Sequence, residues 1–298
     1  MPVRRRGTSA RKPMRTSRNS SSCRHEALAG YLFLLPSLIG VGTFLVYPMA
    51  DTVRRSFVTA SGQWNGLNNF QVVLANASFR LAAWNTFRFL ITAVPLLLIL
   101  SLGAALAVKR ATGFVKSSFL VPLALPVASF ALIWRVLFDS HGLINSILTR
   151  FGIESIPFMN SGASFWVLVG SYIWKNLGFD MVLILSALLN IPQSLYEAAQ
   201  LDGANGPRQF RYITLPHLYP TLFVTAVLSI INAFKVFREA YLVAGNYPHE
   251  KMYLLQHLFN NWFLRLSIDK LCTAATLTAL VISVFILLLQ GTLGRTRL

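Results

Sequence analysis

Residues 164–203 read SFWVLVGSYIWKNLGFDMVLILSALLNIPQSLYEAAQLDG, and the change of character inside this stretch decides the fold. From Ser164 to Asn190 it is apolar over a length sufficient for a bilayer core of about 30 Å, which takes roughly 20 residues of helix. At Ile191-Pro192 it turns polar. Proline has no amide hydrogen and biases the residue before it away from helix, so the span should break there.

Working outward, five more stretches have the same character: about 28–50, 85–108, 117–138, 219–244 and 271–290. Pro36, Pro95 and Pro126 fall inside spans, where neighbouring helices can satisfy the freed carbonyls. The composition agrees: 54% of the 298 residues are hydrophobic and only 12% charged, against roughly a quarter charged in a soluble domain. The chain is therefore expected to be all-α, a polytopic membrane protein with six transmembrane helices. It divides into a basic arm over 1–27, a transmembrane domain over 28–292 and a tail over 293–298. The loop 51–84 is too short for a packed domain, and no internal repeat supports an inverted-repeat transporter.

The formal charge of +17 is concentrated at the start, where eight of the 27 Lys and Arg lie within the first 24 residues. That arm has almost no large apolar residues, so it is expected to be disordered. Basic residues ahead of a first span hold that end in the cytoplasm and attract anionic lipid headgroups. Without base-stacking aromatics they do not suggest nucleic acid. Arg4-Arg5 does not make a cleaved export signal, because the apolar run begins too late and is too long. Lys109, Arg110 and Lys116, then Arg208 and Arg211, then Arg295 and Arg297 fall on the same side as the arm. Both termini are therefore expected to be cytoplasmic, with 51–84, 139–163 and 245–270 outside, although Arg54, Arg55, Arg80, Arg150, Lys251 and Arg265 lie in those outer loops. Cys23 and Cys272 would then face opposite sides and offer no metal spacing.

The polar insert can be read locally. Ser194 and Glu197 have the spacing of a capping box, and Leu195, Ala198 and Ala199 form a small apolar face. Gly203 suits the left-handed residue after a helix. A second helix can begin at Pro207 and carry Phe210 and Ile213 until Leu215-Pro216 stops it. Physics alone leaves this hairpin as either a docking surface or an interfacial connection between spans.

Charged and amide side chains inside spans normally face the bundle interior. Trp174, Lys175, Asn176 and Asp180 lie in the fourth span, and Asn232, Lys235, Arg238 and Glu239 in the fifth. Amides and carboxylates beside aromatic faces suit sugar binding. Trp174, Asn176, Asp180, Asn232 and Lys235 are the candidate path-lining residues, with polar helix packing as the alternative. Lys235 and Glu239 are spaced to pair along one helix, as are Arg135 and Asp139. The histidines show no ligand spacing, so neither a metal nor a cofactor is expected. No G-x-x-x-x-G-K-[ST] loop occurs, so the chain is not expected to be an enzyme that hydrolyses ATP.

At this point the run Glu197-Ala198-Ala199, Asp202-Gly203-Ala204, Phe210, Ile213 and Leu215-Pro216 resembles the EAA motif of the membrane subunits of bacterial ABC importers, in the form seen in the carbohydrate-uptake branch. LFLLPSLIGVGTFLVYP, then GLNNF (Gly66–Phe70) and WNT (Trp84–Thr86), are similar to the opening of the maltose-type and glycerol-3-phosphate-type permeases. The resemblance extends from Gly30 to the sixth span. It implies the type I permease fold and a plasma-membrane location. It further implies that residues 194–216 are a coupling segment seated in a cleft of a cytoplasmic ATPase subunit. The implied partners are two ATPase subunits, a second and non-identical permease subunit, membrane lipid, and an extracytoplasmic solute-binding protein that delivers a sugar, oligosaccharide or sugar derivative. Gly206-Pro207-Arg208 departs from the family pattern within the second helix. The same machinery serving another small solute, or an ion-coupled secondary transporter, are the alternatives.

Overall fold

Proline positions account for where the helices break and where they run on. The computed structural model describes residues 20–59, 61–109 and 111–294, and among these the backbone is helical, with no strand and one isolated bridge between Val58 and Trp64. Six helical stretches are long and apolar enough to cross a membrane: Gly30–Arg55, Ala77–Val108, Val127–Arg150, Ser164–Leu189, Gly206–Ala244 and Ile268–Leu288. They are called spans one to six below. Contacts divide the chain after Thr52.

In the first unit, helix begins at Ser20, so residues 20–27 of the expected arm are helical; residues 1–19 lie outside the described residues. The helix widens to a π-turn over Gly42–Val46, where the Tyr47 amide reaches back to the Gly42 carbonyl, and then continues through Pro48. A proline clashes with the carbonyl four residues back. A widened turn just before it relieves that clash.

The second unit begins with a polar clasp. Asn69 Nδ2 donates to the carbonyls of Ser56 (3.1 Å) and Val58 (2.8 Å), which folds the loop onto the helix Asn68–Ala75. Asn76 then caps span two by accepting the Phe79 amide at 3.0 Å, so that helix starts at Ala77 rather than at Asn85. Asn85 instead lies inside the helix, where its amide donates to the carbonyls of Glu250 (2.6 Å) and Tyr253 (3.0 Å), while Thr86 Oγ1 accepts the Leu255 amide at 3.0 Å.

The expected continuous helix over 117–138 is not present. The chain runs as Gly113–Ser118, Val121–Ala124 and Val127–Phe138, broken at Phe119–Leu120 and at Leu125–Pro126. Pro126 forces Leu125 out of helix, with ψ 130. The first break crosses span four at Gly178, where a Cβ would lie 1.8 Å from the Phe119 carbonyl oxygen. Only glycine permits that approach.

Span five also differs from expectation. Leu215-Pro216 does not stop the second helix of the insert, because a π-turn over Phe210–Thr214 carries the helix through the proline, and Gly206–Ala244 is continuously helical. The device is the same one that precedes Pro48.

The core of this unit is four apolar clusters. Phe89, Leu97, Phe165, Leu168, Tyr172, Val236 and Leu254 join spans two, four and five to the loop before span six. Val73, Phe79, Leu258, Trp262 and Ala274 hold the loop helices on spans two and six. Ala105, Val108, Met181, Ile184, Leu188 and Leu218 close the end that carries the insert, and Phe130, Trp134 and Val167 join spans three and four. In lipid such packing depends on close van der Waals fit and interhelical hydrogen bonds more than on water exclusion.

Candidate functional site

The insert opens with the helix Gln193–Leu201, whose N-cap is Pro192, not Ser194. Pro192 is extended at ψ 130 and starts the helix early, which leaves Ser194 inside the first turn, and the expected capping box does not form. The C-terminus is as expected. Gly203 has φ +76, its amide donates to the Gln200 carbonyl (3.0 Å), and the Ala204 amide donates to the Ala199 carbonyl (2.8 Å). These are the two bonds of a Schellman motif. Asn205 then caps the next helix by accepting the Arg208 amide at 3.2 Å, and Gln209 Nε2 donates back to the Ala204 carbonyl at 2.9 Å.

This hairpin has distinct inner and outer faces. Inward, Tyr196 packs on the cluster around Leu188 and Leu218, its hydroxyl 2.9 Å from Thr214 Oγ1 and its ring beneath the Lys109 ammonium. Outward, Glu197, Ala198, Asp202, Gly203 and Pro216 are exposed, while Ala199, Ala204, Phe210, Ile213 and Leu215 are half-buried. Leu201, 91% exposed, continues the line of Leu195 and Ala198 along the outer face. Its spacing of three from Ala198 was visible in the sequence. Leu195, Ala198 and Leu201 thus form an exposed apolar stripe on this helix.

A second concave feature lies between spans three, four and five. It is a cleft of about 140 Å³ lined by Phe130, Tyr172, Lys175, Asn176, Asn232, Lys235 and Glu239, among others. Span four supplies Ser171, Tyr172, Lys175 and Asn176; span five supplies Asn232, Lys235 and Glu239. Lys175 forms an ion pair with Glu239, with side-chain exposures of 20% and 7%, and its ammonium lies 5.3 Å from the centre of the Phe130 ring. Lys235 donates to Asn232 Oδ1 at 2.8 Å, and Asn176 Nδ2 donates to the Tyr172 carbonyl at 2.8 Å. The expected Lys235–Glu239 pair is therefore replaced by one across helices, because Glu239 points toward span four. Asp139 accepts the His141 amide at 3.1 Å rather than pairing with Arg135.

Of the five path candidates, Asn176, Asn232 and Lys235 share this cleft. Asp180 does not line it: fully buried, its carboxylate accepts the Ser229 hydroxyl at 2.6 Å, and the Tyr172 hydroxyl donates to the Ser229 carbonyl at 2.5 Å, which ties span four to span five. Trp174 is turned outward at 43% exposure and its ring packs 5.5 Å from Phe130. Among the described residues no group of His, Cys, Asp and Glu could hold a metal ion. His217 is exposed beside the insert. His257, in the helix Leu255–Leu264, is buried; its Nδ1 accepts the Leu254 amide at 3.2 Å, and burial pushes the imidazole down from 6.5 to about 4. It is a neutral packing group.

Comparison with known proteins gives a consistent result. Residues 96–296 match the profile of the family described as binding-protein-dependent transport system inner membrane component. The chain is 32% identical to the probable ABC transporter permease protein YesP of Bacillus subtilis, covering 82% of this chain and 84% of that one. It is 33% identical to the sulfoquinovosyl glycerol transport system permease protein SmoG of Agrobacterium fabrum, covering 75% and 76%. It is 34% identical to the trehalose/maltose transport system permease protein MalF of Thermococcus litoralis, covering 75% and 79%. In fold it is similar to a chain of a bacterial ABC transporter involved in the import of the acidic polysaccharide alginate, with a TM-score of 0.79 over 92% of this chain and 98% of that one at 23% identity.

Proposed function

This chain belongs to the binding-protein-dependent transport system inner membrane components, and from that premise we propose that it forms half of the translocation path of an ATP-driven importer for a sugar, oligosaccharide or sugar derivative. The observation that carries the reading is the outer face of the insert. Glu197, Ala198 and Ala199 lie on a short helix ended by a glycine joint at Asp202-Gly203-Ala204, and Phe210, Ile213, Leu215 and Pro216 lie in the helix that follows. In this reading the first helix sits in a cleft of an ATPase subunit. The small alanines allow close approach, and Leu201 adds apolar contact.

The energy then has a mechanical route. ATP binding closes two ATPase subunits and carries the docked helices with them. Gly206–Ala244 is helical throughout, with a π-turn at Phe210–Thr214 and a tighter 3-10 turn at Phe234–Val236, and spans roughly 55–60 Å at about 1.5 Å per residue. A displacement at its insert end therefore reaches the cleft through span five itself, and the Tyr196–Thr214 contact ties the first insert helix to the start of that span. The cleft carries amides, ammoniums and a carboxylate beside Phe130 and Tyr172, the mixture that binds hydroxyls and the apolar faces of sugar rings. A second permease subunit completes the path, and an extracytoplasmic binding protein delivers the solute. The solute class follows the sugar-derivative and disaccharide transport named for SmoG and MalF.

The test uses the complete importer in proteoliposomes. Gly203 has φ +76, which proline cannot adopt, and Glu197→Lys reverses the charge on the outer face. The double variant Glu197→Lys with Gly203→Pro should lose both uptake and the stimulation of ATP hydrolysis by loaded binding protein. Unchanged hydrolysis with surviving uptake would sink the coupling role.

A further inference from the structure

The polar cleft has an uneven charge balance. Its lining contains one carboxylate, Glu239, and that is already engaged by Lys175. Lys235 remains. Among the described residues its ammonium has no carboxylate partner and is held only by the neutral amide of Asn232. One turn further along the same helix Arg238 is also exposed, with no hydrogen bond or ion pair recorded among the described residues. Asp180, the other acid nearby, is fully buried beneath Ser229 and does not reach the cleft.

A lone cation on a span can face hydrocarbon, headgroups, a partner subunit or a water-filled path. Hydrocarbon is expensive. Headgroups require the side chain to extend toward the nearer membrane surface. Lys235 does the opposite. It stands about 13 Å from Ala244 by helical rise, and Asn232, which holds its ammonium, lies one turn nearer the insert. The charge is therefore bent back toward the middle of the span and into the cleft. There it shares the cleft lining with Phe130 and Tyr172 and stays exposed, so a solute entering the cleft meets its uncompensated charge.

We propose that the solute carried through this cleft is an anionic saccharide or sugar derivative bearing a carboxylate or a phosphate, and that Lys235, with Arg238 behind it, determines that specificity. The inference rests on the sugar-importer reading. Lys235 meets the acidic group within the path, the Lys175–Glu239 pair and the two asparagines meet hydroxyls, and Arg238 draws the anion from the end remote from the insert. Neutralising Lys235 and Arg238 removes the excess positive charge while leaving the hydroxyl-binding groups in place.

The experiment is uptake by the complete importer in proteoliposomes, supplied with its binding protein. The probes are radiolabelled trigalacturonate, sn-glycerol 3-phosphate, maltose and lactose. Wild type should import at least one acidic probe, the first or second of these showing whether the charge is a carboxylate or a phosphate. Lys235→Gln with Arg238→Gln should lower that uptake at least about tenfold, the loss expected for one hydrogen bond to a charged group. Lys235→Arg, which keeps the charge but changes its shape, should retain most of it. Uptake of maltose or lactose with neither acidic probe overturns the charge inference and leaves the sugar-importer reading intact, as does acidic uptake that persists in the neutralised double variant. Uptake of spermidine or glutamate with none of the four probes overturns the sugar reading itself.

Discussion

Gly203 and Gly178 show what a single residue reveals in sequence and what it conceals. Gly203 follows a short helix and precedes a polar turn, and its left-handed φ of +76 follows from that local context alone. Gly178 is one small residue among many in an apolar helix. Its role depends on the Phe119 carbonyl, which reaches it from the broken segment ahead of span three, at a distance of 1.8 Å from where a Cβ would stand. Gly178→Ala should therefore lower the stability of the solubilised protein by about 3 kcal/mol, the upper range for overpacking. Gly170→Ala, in the same helix with open space around it, should be nearly neutral. Thermal unfolding in detergent compares them, and equal midpoints for the two variants would contradict the close crossing. Ser194 and Glu197 show the reverse failure: their spacing suited a cap, but Pro192 took the cap position first.

Elements were legible where one force governed them and illegible where two competed. Span four follows from length and apolarity, and it ends at Leu189 with Asn190 as its C-cap, just ahead of Pro192. Span three and the start of span five do not follow from the same signals. Pro126 breaks a helix while Pro48 and Pro216 are carried through by π-turns, and the sequence around a proline does not say whether the preceding turn can widen. Charge pairing behaves likewise. Lys235 and Glu239 have helical spacing, yet the stronger contact for Glu239 lies on a neighbouring helix at Lys175. Removing one member of such a partly desolvated pair strands the other, so Glu239→Leu alone should cost about 3 kcal/mol. Lys175→Met together with Glu239→Leu should recover most of that loss. The thermal midpoints of the four forms in the purified complex decide it, and additive losses in the double variant would mean that the two side chains do not pair.

At the scale of the whole chain, the number and order of spans determine topology. An even number of crossings puts the two termini on one side, and the positive-inside rule applied to the basic arm, Lys109, Lys116, Arg208 and Arg211 predicts that this side is the cytoplasm. A fluorescent-protein fusion at the C-terminus should fluoresce in cells, and an alkaline phosphatase fusion there should be inactive. A phosphatase insertion after Gly152 should be active. The opposite pattern would place the insert outside, beyond the reach of any ATPase.

By itself the sequence determined that this chain crosses a membrane six times, where the insert lies, and that Gly203 is its joint. Those features depend on apolar length, proline and glycine, whose effects act within a few residues along the chain. Only the tertiary structure decided that Asn85 and Thr86 clasp the loop before span six, that Asp180 is bound beneath Ser229 and stays out of the cleft lining, and that Glu239 answers Lys175 and leaves Lys235 without a carboxylate partner among the described residues. A side chain's partner in a bundle is set by which helix face meets which, and that depends on packing between segments far apart in sequence.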